Sequence, residues 1–164
     1  MTRAAVAERG ANALYVVATW VPRRTEIVVG SLGVVAFERG WYAYVGSARR
    51  GREARVARHL RADKPLRWHA DYLLSRFPGR CAWLVDGELT ECELAGALAR
   101  LPGASRRPPH FGAGDCGCVG HLLRLARRPT TRDVRDALGQ DRGVRRTPAV
   151  LRSTSSAALG ARGP

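Results

Sequence analysis

The chain has 164 residues, enough for one domain with its own core and a terminal extension. Its 28 Lys and Arg face 14 Asp and Glu, a net charge of +14, so a polyanion such as nucleic acid is the expected partner. No apolar stretch approaches the roughly 20 residues of a membrane-spanning helix, and the first ten residues lack an apolar signal core, so no membrane partner and a cytoplasmic location are expected.

All but one of the cations are Arg, Lys64 being the exception, and Ala and Gly are abundant. A compositional bias alone would raise the charge in the same way. The four cysteines read as thiols or metal ligands rather than disulfides in a reducing compartment.

In chain order, residues 1–11 are small and polar and are expected to fray. Ala13 to Val21 is apolar and β-branched, a buried strand stopped by Pro22. Glu26 to Val29 and Val34 to Phe37 read as two short strands around Gly30-Ser31-Leu32-Gly33. Trp41 to Val45 is a further strand, broken by Gly46. A basic turn, Arg49-Arg50-Gly51-Arg52, leads into a helix with Val56 and Leu60 on one face. On that helix Arg55 and His59 are four apart and point the same way. The strand delivers Tyr44 near the helix start, and Tyr42 shares its face by alternation. A phenol, a guanidinium and an imidazole thus surround one point, a suitable place for a phosphodiester. Arg49, Arg50, Arg52 and Arg58 are expected to contact phosphates and position nucleic acid without reading its sequence.

Leu66 to Phe77 reads as a second helix, ended by Pro78-Gly79. It carries Trp68, His69, Asp71 and Tyr72; His69 and Asp71, two apart, support the site from behind or simply pack. Cys81 to Val85 is a buried strand closed by Asp86-Gly87. Thr90 to Leu101 is a helix opened by a capping box between Thr90 and Glu93. Ser105 to Cys118 is a loop, and His121 to Leu125 a last strand. Cys116, Cys118 and His121 supply three soft ligands in six residues; Cys92 would complete a tetrahedral zinc site. Buried thiols with a structural His are the alternative. From Ala126 onward, nine Arg face three Asp, a net +6, with few large apolar residues after Leu138. Thr131 to Leu138 has the pattern of a turn or two of helix; the rest of this tail, including Arg152-Ser153-Thr154-Ser155-Ser156, is expected to be disordered. The expected organisation is one domain over 12–125 and a basic tail over 126–164.

Tyr44-Val45-Gly46-Ser47 followed by Arg55 and His59 resembles the second half of the GIY-YIG nuclease signature, with Ala13-Leu14-Tyr15 standing for the first half. Trp68-His69-Ala70-Asp71-Tyr72, Glu91-Cys92-Glu93-Leu94-Ala95 and Asp115-Cys116-Gly117-Cys118 before His121 are similar to its uncharacterised DUF123 branch, found alone or fused to repair enzymes. The likeness runs from about Asn12 to Leu125. It implies an α/β (α+β) fold with a small, mostly antiparallel central sheet flanked by helices. It also implies a metal-dependent DNA endonuclease, with DNA repair as the setting.

In such nucleases one later-helix carboxylate holds the metal, a tyrosine helps activate water, and the helix Arg binds the scissile phosphate. Carried over, Tyr15, Tyr44, Arg55 and His59 are the catalytic candidates and Glu91 the ligand for Mg²⁺ or Mn²⁺. Glu91 also fits a helix-start acid facing the macrodipole. Tyr15 and Tyr44 lie 29 positions apart, a longer hairpin than most of the superfamily uses. A nucleic-acid-binding module that kept the fold without turnover is the competing expectation.

Overall fold

The structure is a computed structural model that describes residues 13–139 and 143–147. The N-terminal stretch expected to fray, and the serine-rich stretch near the C-terminus, lie outside the described residues. In chain order the elements are β1 (Leu14–Val21), β2 (Thr25–Val28), β3 (Val34–Phe37), β4 (Gly40–Ser47), α1 (Arg52–His59), α2 (His69–Arg76), β5 (Cys81–Val85), α3 (Glu91–Leu98), β6 (Ser105–Arg106), β7 (Leu122–Leu125), α4 (Thr131–Leu138) and β8 (Val144–Thr147).

Among the described residues six strands form one sheet in the order β6-β7-β4-β1-β5-β8, with every pairing antiparallel. β2 and β3 form a separate two-stranded ribbon. The mixed, antiparallel-sheet fold expected from the sequence is therefore present.

β1 lies in the middle and is buried on both faces, which is why it reads as an unbroken apolar run. Tyr15, Val17 and Val21 join one core with Val56 of α1, Leu73 and Leu74 of α2, and the ribbon. Leu14, Val16 and Ala18 join a second core with Leu94 and Leu98 of α3 and Val134 of α4. The period-2 alternation of one strand thus divides the molecule into two layers.

α2 starts at His69 rather than Leu66, because the Asp71 carboxylate folds back onto the N–H groups of Arg67 (2.8 Å) and Trp68 (3.0 Å). α3 keeps its capping box: Thr90 Oγ1 accepts the Glu93 N–H, and Glu93 Oε2 accepts the Thr90 N–H at 2.8 Å. Lys64 Nζ donates to the carbonyls of Arg58, His59 and Arg61 and closes the end of α1.

The largest departure lies after Leu125. Thr130 and Asp133 build another capping box, α4 packs against α3, and Trp83 Nε1–H donates to Thr131 Oγ1 at 3.0 Å. β8 then pairs with β5 along the sheet edge, with Val144 in the core. The folded unit thus continues to at least Thr147. The sequence pattern hid this because α4 presents one fully buried apolar side chain, Val134. Val134→Ala should cost about 2 kcal/mol through lost burial and the cavity left behind, read as a lower urea midpoint at unchanged slope.

Candidate active site and metal centre

Tyr15 leaves β1 opposite Gly46 of β4, and its ring lies across that glycine. A Cβ at Gly46 would sit 2.8 Å from Tyr15 Cε2 and closer still to the hydroxyl. The missing side chain lets the hydroxyl reach Nε2 of His59 on α1 at 3.0 Å. Tyr44, two residues before Gly46, packs edge-on to His59 with ring centroids 5.8 Å apart, and 6.4 Å from Tyr15. Tyr15 is buried and Tyr44 is partly exposed. The long hairpin therefore does not keep Tyr15 from His59.

Behind His59 lies Asp71, fully buried, with Oδ1 4.0 Å from His59 Nδ1. Arg58 grips the same carboxylate at 2.8 and 3.1 Å. Arg58 is thus an internal ion pair rather than a free phosphate contact, because the buried Asp71 charge requires a partner. Arg52 also turns inward. Its Nη1 donates to Asp86 Oδ1 (2.7 Å) and the Val85 carbonyl (3.1 Å), leaving the residue 9% exposed. Of the four arginines expected to contact phosphate, Arg49 and Arg50 remain exposed.

Arg55 is partly exposed; its Nη1 donates to the Ser47 carbonyl at 2.8 Å. Arg55 and Arg58 both stack on Trp68, each 4.7 Å from the ring centroid. Trp68 as a guanidinium shelf was not anticipated. The signal was an aromatic residue beside Arg67 at a helix start.

The loop before β7 covers the site. Its Phe111 is fully buried against Tyr44 and His69, and the Gly112 N–H donates to His69 Nδ1 at 3.1 Å. Gly112 has φ +74°, and a Cβ there would lie 2.9 Å from Tyr44 Cε2. His69 supports the site through this loop and Asp71 through His59, so the two residues serve opposite sides.

Glu91 opens α3 and lines a pocket with Ser47, Asp115, Cys116 and His121. Its side chain is 30% exposed and Oε2 lies 3.5 Å from His121 Nδ1. Cys92, Cys116, Cys118 and His121 place their ligand atoms within 4.8 Å of one another. This cluster can hold a metal ion. Burial pushes the Cys92 thiol up to about 12, with Cys116 and Cys118 adding to the rise.

These features lie in a segment with a recognisable family. Residues 14–142 match the model of the domain of unknown function DUF123. The chain belongs to that family. No curated protein and no solved structure matches it. The DUF123 match runs past Leu125 and includes α4.

Electrostatics in this DUF123 domain keep Tyr15, Tyr44 and His59 neutral, while Asp71 stays charged against Arg58. Burial raises both phenols; the Glu91 charge raises them further, and Arg55 opposes. At Tyr44 the loss of solvation outweighs the opposing pull of Arg55. Burial, with Lys64, lowers His59 from 6.5 to about 4, although Asp71 pulls the other way. A neutral His59 accepts the Tyr15 proton at Nε2 and turns Nδ1–H toward Asp71.

Two outcomes follow. Between about pH 6.5 and about 4 the unfolded chain binds a proton that folded His59 refuses. Stability present above 6.5 is therefore lost as pH falls through this window, by up to about 3 kcal/mol. Urea unfolding of His59→Gln should show a shallower acid loss than the parent; parallel slopes would count against this assignment. Gly46→Ala should destabilise by about 1–3 kcal/mol, because the Tyr15 ring has to move; thermal unfolding reads this out.

Proposed function

We propose that this DUF123 domain is a metal-dependent endonuclease of the GIY-YIG type, hydrolysing phosphodiester bonds in nucleic acid, DNA in the first instance. One observation carries the reading. Four separate elements meet at the site: Tyr15 of β1 bonds His59 of α1, Tyr44 of β4 packs beside both rings, and Ser47, whose carbonyl takes the Arg55 hydrogen bond, lines one pocket with Glu91 of α3. The motif order and the net charge of +14 support the same reading. DNA repair in the cytoplasm is the setting it implies. Among the described residues no helix is long and apolar enough to cross a membrane.

The fit to a hydrated ion rests on Glu91. It is a partly exposed carboxylate in an open pocket, with Asp115 lining the same pocket. That oxygen-rich setting suits Mg²⁺ or Mn²⁺. When bound, such an ion supplies neutralisation of the growing phosphate charge and of the leaving oxygen.

The chain's own groups do the rest. Arg55 has a planar guanidinium held by Trp68 and the Ser47 carbonyl, with an edge left to pair with phosphate oxygens. The Tyr15 hydroxyl orients water and passes a proton to Nε2 of His59. Asp71, across the imidazole, steadies the protonated ring. Phe111 and Gly112 limit solvent around Tyr44.

A binding module without turnover is the second reading. It is favoured by the engagement of Arg55 with Ser47 and Trp68, and by the raised phenols. Supercoiled, single-stranded and branched DNA with Mg²⁺ or Mn²⁺ separates the two. The parent should cleave, and Glu91→Gln, Arg55→Ala and Tyr15→Phe should each lose about a hundredfold or more. Salt-dependent binding with no cleavage of any substrate supports the module instead. Replacing Arg49 and Arg50 by Ala should lower the salt slope of binding by about two, measured by fluorescence anisotropy.

A further inference from the structure

We propose that Cys92, Cys116, Cys118 and His121 bind one zinc ion in a closed tetrahedral site, and that the zinc-bound His121 holds the Glu91 carboxylate in position. Zinc binding here does not depend on the nuclease reading; the use made of Glu91 rests on it.

The distances argue for a metal. Cys116 Sγ lies 3.4 Å from Cys92 Sγ and 3.3 Å from Cys118 Sγ. His121 Nε2 is 3.5 Å from the sulfurs of both Cys92 and Cys116. Zinc bonds of about 2.3 Å to sulfur and about 2.0 Å to nitrogen imply tetrahedral edges of about 3.8 and 3.6 Å. The four ligands already sit within a few tenths of an ångström of that figure along these edges. A disulfide would join two thiols and leave the third and the imidazole without purpose. Three thiols and one imidazole form a soft set that selects zinc over Mg²⁺.

The placement of the ligands indicates what the ion does. Cys92 comes from the first turn of α3. The other three come from the irregular loop that lays Phe111 and Gly112 against Tyr44. Backbone bonds tie this loop to itself and to β4: His110 N to the Val119 carbonyl, His121 N to Phe111, and Val45 N to His121. A zinc ion would cross-link the loop to α3, fixing both walls of the Glu91 pocket.

His121 provides the link to the acid. It is 2% exposed, and its Nδ1 makes no hydrogen bond of normal geometry. Glu91 Oε2 is 3.5 Å from it, and the Gly112 backbone faces it too. With Nε2 given to zinc, the ring proton must reside on Nδ1, which becomes a donor toward Glu91. One carboxylate oxygen is then anchored and the other is left for the hydrated ion.

The test uses the full chain purified without chelator. Metal analysis should find one zinc per chain and no iron. Cobalt in its place should show a thiolate charge-transfer band and the visible bands of a tetrahedral ion. His121→Cys retains four zinc ligands but lacks the Nδ1 donor. It should keep zinc, yet bind Mn²⁺ about tenfold more weakly by electron paramagnetic resonance. Iron in place of zinc, zinc well below one equivalent, or an octahedral cobalt spectrum overturns the zinc site. Equal Mn²⁺ affinity in parent and His121→Cys overturns the role given to Glu91. A parent with full zinc that binds no Mn²⁺ leaves the zinc site standing and removes the nuclease reading. Cys118→Ser should release zinc to a competing chelator sooner; if it does not fold, the cobalt spectrum of the parent decides.

Discussion

The hydrogen bond from Tyr15 to His59 depends on a residue with no side chain. β1 and β4 are adjacent strands, and Tyr15 reaches α1 because Gly46 leaves the space above β4 empty. The bond joins the central strand to the first helix inside the core. It also sets His59 between a phenol on one side and the buried Asp71 on the other. Burial keeps His59 neutral, and only a neutral ring accepts the tyrosine proton.

The positive charge is less available than its size suggests. Arg58 neutralises Asp71, Arg52 ties α1 to Asp86 and the end of β5, and Lys64 closes α1. These cations hold up the site from within. Arg49 and Arg50 face outward, and Arg55 stands between the two conditions, with Trp68 and Ser47 holding its plane. Long-range attraction of a polyanion still follows from the sum of charges, but close contact falls to few side chains.

The second half of the chain carries the acid and the sulfur ligands on neighbouring turns. Glu91 and Cys92 are consecutive at the start of α3, with the carboxylate beside His121 Nδ1 and the thiol inside the cysteine cluster. His121, at the entry to β7, touches both. A change in the cluster would therefore be felt at Glu91 without passing through the main sheet.

Local pattern was enough for much of this. Apolar runs marked β1 and β5, the Thr90–Glu93 box marked the start of α3, and the motif order singled out Tyr44 and His59, whose rings pack edge to face. The helix of α4 was expected over Thr131–Leu138, but its packing into the fold and the strand β8 were not, because each fully buries a single valine among mostly polar residues. The sequence by itself determined the strand alternation, the helix caps and the inventory of chemical groups, since these depend on neighbours within a turn or a pleat. Tertiary structure alone decided which arginines turn inward, that Tyr15 lies over Gly46, and that Cys92 meets the distant Cys116. Burial and charge pairing act between segments that only folding brings together.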